Sequence, residues 1–466
     1  MSILLALLVF GVLIFIHELG HFLAARACGV GILEFSIGMG PKLLSKKSKK
    51  SGTVYSLRLF PIGGFVSMLG ENGMEAVQGD NGQHKESDSE SFLINSTEDE
   101  DAKASETPTV EIDPELEKHA YCNQSVWKRI FISVAGPFMN VFLGFLMMFI
   151  IVFAAGEGAV GTTKIGGFYV QYSAESAEEG GLQSGDYINY IKDTAEGSER
   201  IRIHSMEQLK ELVANSTTGV FELTVLRAEE SGAVVEETLQ GIPLTLEILE
   251  RDMRQSLSSA QLQVGDVVKK VNSTSVHTYY ELAYEIMNQG HKPITFTVER
   301  NGERIELEPV QVPTFVDAQS NTAFGDLDFK VYGEEKFNFG TVVKHAWFRS
   351  VSTVKMVYDS LVGLFSGRYG VEAVSGPVGI TKTVSDAAKM GWMNVFNLAI
   401  VISINLGIMN LLPFPALDGG HLMLYLIEII RRKPVKKEVE GIINFVGLVI
   451  LLSLAVIIAI KDIIAL

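Results

Sequence analysis

Four stretches of this chain, residues 3–25, 130–155, 395–412 and 442–460, are long and almost wholly apolar. A helix rises about 1.5 Å per residue and the hydrocarbon of a bilayer is about 30 Å thick, so a crossing takes roughly 17–25 residues. In lipid every backbone N–H and C=O must find its partner inside the segment, which leaves the helix as the form such stretches take. The expected architecture is a polytopic α-helical membrane protein with four transmembrane helices. The first stretch is not a cleavable leader: it lacks a basic start and a small-residue cleavage site, and it carries His17, Glu18 and His21.

The distribution of charge orients the spans. Residues 1–16 hold no Lys or Arg, whereas Arg26, Lys42, Lys46, Lys47, Lys49 and Lys50 follow the first span, and Lys128 and Arg129 precede the second. Arg431, Arg432, Lys433, Lys436 and Lys437 fill the connection between the third and fourth. Basic connections stay in the cytoplasm, so both termini and the block between spans two and three are expected outside. Cys28 and Cys122 then lie on the reducing side, which argues against a structural disulfide. The net charge of −16 is concentrated in residues 71–117, with fifteen acids and two lysines. We read 73–119 as an acidic, disordered cytoplasmic loop. No basic patch of the kind that binds nucleic acid is apparent.

Residues 28–72 read as a membrane-associated β-segment. Within them, 53–69 alternate apolar and polar about Pro61, Gly63 and Gly64, the pattern of a hairpin. Between spans two (128–156) and three, "GLQSGDYINYI" at 181–191 matches "QLQVGDVVKKV" at 261–271. Each copy is followed by a helix-like stretch and a strand, so two tandem α+β domains are expected at 161–243 and 244–313. The Leu-x-x-Gly-Asp pattern resembles PDZ domains, more closely in the first copy than in the second, where Gln261 replaces the glycine. Residues 337–392 are expected to form extracytoplasmic amphipathic helices. In them Val343, Trp347, Val351, Val354, Tyr358, Leu361 and Phe365 form an apolar stripe, fit to lie on the outer membrane surface or to pack on the tandem pair.

The chemistry lies in the first and third spans (1–27 and 393–430), with the fourth at 441–462. "HELGH" is His-Glu-x-x-His; four residues apart on a helix, His17 and His21 share a face and can grip one Zn²⁺, with Glu18 beside it as the base. Two imidazoles and a carboxylate in an apolar span cost several kcal/mol unless they are paired or metal-bound. His17 lies about 21 Å along a helix that starts at Ile3, in the cytoplasmic half of the bilayer. A catalytic zinc usually takes a third protein ligand and leaves one position open. Asp418 is expected to supply it, because 395–430 is too long for one straight span and Pro413 and Pro415 break the helix just before it. The alternatives are an N-cap role for Asp418, or His421 as the ligand. Asn410 is expected to hold substrate backbone or a developing oxyanion, and Asn140 to serve packing.

These motifs together resemble the site-2 protease family. They are His17-Glu18-x-x-His21, "AGPFMN" at 135–140, "FSIGMG" at 35–40, "FPIGGFVSM" at 60–68, "VSGPVGI" at 374–380 and "NLLPFPALDG" at 410–419. The four-span layout with two PDZ-like units resembles the sigma-E-regulating branch of that family in Gram-negative bacteria, although the acidic 74–118 segment is longer than the family leads one to expect. The resemblance implies one Zn²⁺ per chain, held by His17, His21 and Asp418, with Glu18 as catalytic residue. It implies substrate contacts at Asn410, Pro413 and Pro415, and a bacterial inner-membrane location. The expected substrates are single-span membrane proteins, such as anti-sigma factors already shortened by an upstream site-1 type protease, and remnant signal peptides. Gly63, Gly64, Phe65 and Val66 are expected to offer substrate an edge strand, and the PDZ-like pair to exclude bulky ectodomains. Two other classes fit the residues less well. A divalent-metal transporter needs polar ligands on several spans, and the second and fourth lack acids and histidines. A non-catalytic PDZ scaffold has no use for Glu18.

Overall fold

The computed structural model describes residues 2–71, 118–174, 181–228, 234–317, 322–370 and 374–464. The acidic loop expected at 73–119 lies, up to residue 117, outside them. The chain divides into two compact units, Met1–Gly144 with Ser375–Leu466, and Phe145–Val374.

In the first unit, α1 (Ser2–Ala27) is followed by β1 (Ile32–Lys47), β2 (Val54–Met68) and α2 (Val126–Ala155); after the second unit come α3 (Pro377–Met390), α4 (Trp392–Asn410), α5 (Asp418–Arg431) and α6 (Lys437–Ile464). Among the described residues four helices, within α1, α2, α4 and α6, are long and apolar enough to cross a membrane. The long third stretch is resolved into α4, a turn and α5. Glycines let the spans approach: a Cβ on Gly20 would stand 2.4 Å from Ala135 O, and one on Gly407 2.8 Å from Pro137 O. Asp462, near the end of α6, accepts the Gly376 and Gly379 N–H groups at 2.8 Å each and so fixes the start of α3.

The alternating run 53–69 is not a hairpin closed on itself. Residues 64–68 pair with 32–37 (Phe35 opposite Val66), 34–37 also lie beside 54–57 (Ser36 opposite Ser56), and 54–57 pair with 44–47 (Lys46 opposite Tyr55). Four short legs thus lie in the order 64–68, 32–37, 54–57, 44–47. The segment arriving directly from α1 fills the slot between the two legs of β2, because an inner leg needs partners on both edges. Leg 64–68 keeps one edge unpaired by any strand among the described residues.

The second unit holds two α+β cores. Strands Val170–Tyr172, Tyr187–Asp193, Val220–Ala228, Val234–Pro243 and Met253–Gln255 form one sheet, packed through Tyr172, Leu209, Phe221 and Leu249. Strands Val267–Val271, Thr274–Ser275, Phe296–Arg300 and Glu303–Glu306 form the other. Its core also takes in Ile165, Phe168 and Phe329. The cores therefore do not divide at 243/244. Residues 246–255 belong to the first, and residues 165–168, which precede the first core, belong to the second, so the first core is inserted within the second. A sequence repeat locates the shared turns but not which flanking strand completes which sheet.

The repeat has a common physical basis. Gly185 and Gly265 have φ of 102° and 98°, the left-handed region open to glycine. Asp186 accepts from Gln183 N and Asp266 from Gln263 N, both at 2.9 Å. Each aspartate, buried, also takes a two-pronged bond from an arginine on a later strand, Arg227 at 2.8 and 2.7 Å and Arg300 at 2.8 Å twice. Replacing Asp186 with alanine removes the two-pronged bond and leaves Arg227 with only Glu237 and the Gly181 carbonyl oxygen, and is expected to cost about 1.5–3 kcal/mol locally. Hydrogen exchange of the full-length protein should show strands 187–193 and 220–228 losing protection while 267–271 and 296–300 keep theirs.

Helix Phe339–Phe365 turns its apolar stripe outward. Trp347, Tyr358 and Phe365 are exposed, while His345, Arg349, Ser350 and Thr353 are buried. The buried face meets helix Tyr279–Gln289: Arg349 stacks on Tyr280 at 3.7 Å and Tyr284 donates to Asp359 at 2.7 Å. The exposed stripe residues do not make that contact; a mixed face of polar and apolar side chains does, with Phe348 stacking on His277 at 4.2 Å.

Candidate metal and catalytic site

Helical spacing puts His17 and His21 one above the other on α1, both nearly buried. Each ring is held from behind. His21 Nδ1 lies 2.8 Å from the Ile132 carbonyl oxygen on α2, an acceptor, so Nδ1 carries the hydrogen and Nε2 faces the site with its lone pair. His17 Nδ1 meets the side-chain amide of fully buried Asn140 at 3.3 Å. Among the described residues Asn140 Oδ1 has no partner, and rotating the amide turns that oxygen onto the ring N–H. Asn140 thus positions His17, a role beyond the packing expected of it. A polar amide inside an apolar span, four residues from Gly136, was the available signal.

Asp418 closes the set. The turn after α4 brings it in: Ala416 adopts φ +68°, and a Cβ on Gly419 or Gly420 would strike the Leu412 or Phe414 carbonyl oxygen at 2.1 or 2.4 Å. Leu417, not Asp418, is the N-cap of α5, and no side-chain cap bond is made there. The Asp418 carboxylate instead points at the histidines, with Oδ2 3.2 Å from His17 Nε2 and 3.5 Å from His21 Nε2. The two Nε2 atoms are 3.2 Å apart. Tetrahedral zinc with bonds of about 2.0–2.1 Å holds its ligand atoms about 3.3 Å from one another. The three observed separations match that edge length, so the residues fit a zinc ion, and among the described residues this is the one His/Cys/Asp/Glu group so convergent. Gly136 keeps the space open, since a Cβ there would lie 2.2 Å from His21 Nε2. His421, the rival ligand, lies instead 3.3 Å from Glu440 through Nδ1.

A cavity of about 570 Å³ opens beside these groups, lined by Glu18, Phe65, Val66, Met68, Tyr121 and Glu440 among others. Gly64 abuts Glu18: a Cβ on it would sit 3.1 Å from Glu18 Cγ and 2.9 Å from Ser36 O. Gly63, with φ +93°, packs on Met39. Asn410 ends α4 with its amide 3.5 Å from His17 Nε2. Pro413 and Pro415 do not line the cavity; Pro415 packs against Gly447 of α6. The free edge of leg 64–68 faces this space. Leu69 N–H bonds Gly31 O on the β1 side, and Met68 N–H turns the other way to the Glu71 carboxylate at 3.1 Å. Alternation along the strand puts the Val66 N–H on the same outward edge.

Residues 5–454 match the model of peptidase family M50. The chain belongs to that family. It is a zinc metalloprotease of the site-2 type and a polytopic membrane protein. It is similar to the zinc metalloprotease RasP of Geobacillus kaustophilus, with 28% identity covering 99% of this chain and 97% of the relative. The regulator of sigma-W protease RasP of Bacillus subtilis is 27% identical, covering 98% and 97%. A putative zinc metalloprotease of Vibrio cholerae is 28% identical, covering 97% and 96%.

Proposed function

We propose that this M50 peptidase cleaves single-span membrane proteins within the cytoplasmic half of a bacterial inner membrane, using one zinc ion held by His17, His21 and Asp418. The convergence of the three ligand atoms at tetrahedral spacing, at the meeting of apolar spans, carries the reading. The bound ion would polarise the scissile carbonyl and acidify water. Glu18 takes a proton from the attacking water and delivers it to the leaving amine. The side-chain amide of Asn410 donates to the substrate backbone or to the oxygen that gains charge. Because the B. subtilis relative is named a sigma-W regulator, we extend the proposal to anti-sigma factors trimmed beforehand by a second protease, with the tandem outer domains excluding untrimmed ectodomains. Purified protein should cut such a substrate, lose the activity to a zinc chelator and regain it with zinc; cleavage persisting in metal-free protein would overturn the proposal.

A helical substrate hides its carbonyls in its own hydrogen bonds. We propose that leg 64–68 replaces those bonds by strand addition, through outward groups such as the Val66 N–H. Val66→Pro removes that donor without touching the ladder to β1. One net hydrogen bond is worth roughly 0.5–1.5 kcal/mol, so cleavage should slow about two- to tenfold at unchanged zinc content. Helix-breaking residues in the substrate span should speed it. Rates unmoved by either change would leave the leg as membrane packing.

A further inference from the structure

The far half of the β-sheet carries a surface that the metal site does not use. Legs 44–47 and 54–57 form a ribbon whose tip is closed by Ser48 N–H to Thr53 O at 2.9 Å and Gly52 N–H to Ser48 O at 3.0 Å. Leu43, Leu44, Leu57 and Leu59 are 55%, 69%, 41% and 48% exposed, and Leu44 stands opposite Leu57, so the ribbon presents uncovered apolar surface. So much exposed leucine at the end of a small sheet is a surface that water does not favour. Lys46, Lys47, Lys49 and Lys50 crowd its tip, exposed and without an ion pair among the described residues. Glu34, the acid at the ribbon's base, is already engaged by Lys42 at 3.1 Å, Arg58 at 3.0 Å and the Ser56 hydroxyl. Among the described residues the ribbon therefore ends in four positive charges without an ion-pair partner, directly beyond an apolar surface.

Apolar side chains edged by lysines are what a bilayer interface with negative headgroups accepts: leucines enter the acyl region while ammonium groups reach the phosphates. We infer that residues 42–58 are a lipid-binding finger specific for anionic phospholipids, with the leucines in hydrocarbon and Lys46, Lys47, Lys49 and Lys50 on the headgroups. The inference rests on the membrane location set by the four apolar helices, not on the proteolytic reading. It has a structural consequence. The ribbon is continuous through leg 32–37 with leg 64–68, so headgroup binding at the tip fixes the depth of the strand edge that faces the metal site.

The test uses the full-length protein carrying Leu44→Trp, reconstituted in nanodiscs. Fluorescence is quenched by brominated phosphatidylglycerol or by brominated phosphatidylcholine at equal mole fraction, and the signal of Trp127, Trp347 and Trp392 is subtracted with the parent protein. One lysine near an anionic surface contributes about a fivefold preference. Quenching by the anionic lipid should therefore exceed that by the zwitterionic lipid by that factor or more, and the excess should shrink in high salt. Lys→Gln at 46, 47, 49 and 50 together should abolish the excess, and Lys→Arg at the same positions should retain it. Equal quenching by both lipids with the lysines intact would reduce the finger to plain apolar immersion and overturn the specificity. Absence of quenching by either lipid would show that protein covers the ribbon, and an excess surviving in the Gln variant would overturn the role of the lysines.

Discussion

Glu18→Gln is expected to lower kcat/KM for a single-span substrate by roughly 10²–10⁴-fold, the usual contribution of a positioned general base, while zinc content stays at the level of the unaltered protein. The geometry separates the two properties. Glu18 lies beside His17 on α1 and lines the cavity, but it is not one of the three residues whose ligand atoms converge. Glutamine keeps the volume of the side chain against Gly64, where contact is already close. What it loses is the capacity to take up a proton. Metal analysis together with single-turnover cleavage checks this. A variant with normal zinc and near-normal rate would remove Glu18 from the mechanism, and one that loses zinc would make it part of the metal shell.

Much of the site could be read from the sequence because lipid removes options. A charged group inside an apolar span needs a reason, so His17, Glu18, His21 and Asp418 stood out, and two prolines ahead of Asp418 required the break that the structure shows between α4 and α5. What the sequence did not show were partners chosen at long range. Alternation marked 53–69 as strand, but only the fold reveals that 34–37 inserts between its legs. The repeated Gly-Asp turns were plain, whereas Arg227 and Arg300, which neutralise their aspartates, sit 41 and 34 residues away. Periodicity in 341–365 gave the apolar stripe without saying what it meets. The opposite face is the buried one, since Arg349 and Asp359 find Tyr280 and Tyr284 across the helix pair. An amide in a span more often packs than positions a ligand, and the contact of Asn140 with His17 depends on how α1 and α2 are juxtaposed.

Asp418→Ala is expected to strip the protein of zinc under conditions in which His421→Ala retains it, and to abolish cleavage with the metal. The contrast follows from placement. Asp418 Oδ2 lies within 3.5 Å of both Nε2 atoms, whereas His421 points to Glu440. Losing an outer-shell partner of a ligand already costs 10–100-fold in metal affinity, and losing the ligand itself should cost more. Without Asp418 the two imidazoles, 3.2 Å apart, lose an anion that lies within 3.5 Å of both Nε2 atoms. The turn should survive, because Gly419, Gly420 and the Pro415–Gly447 contact hold it independently of the aspartate side chain. Hydrogen exchange in α5 can verify that. Asp418→Ala with full zinc occupancy would show that another group completes the site. Zinc loss in His421→Ala with an ordered α5 would place that group at His421.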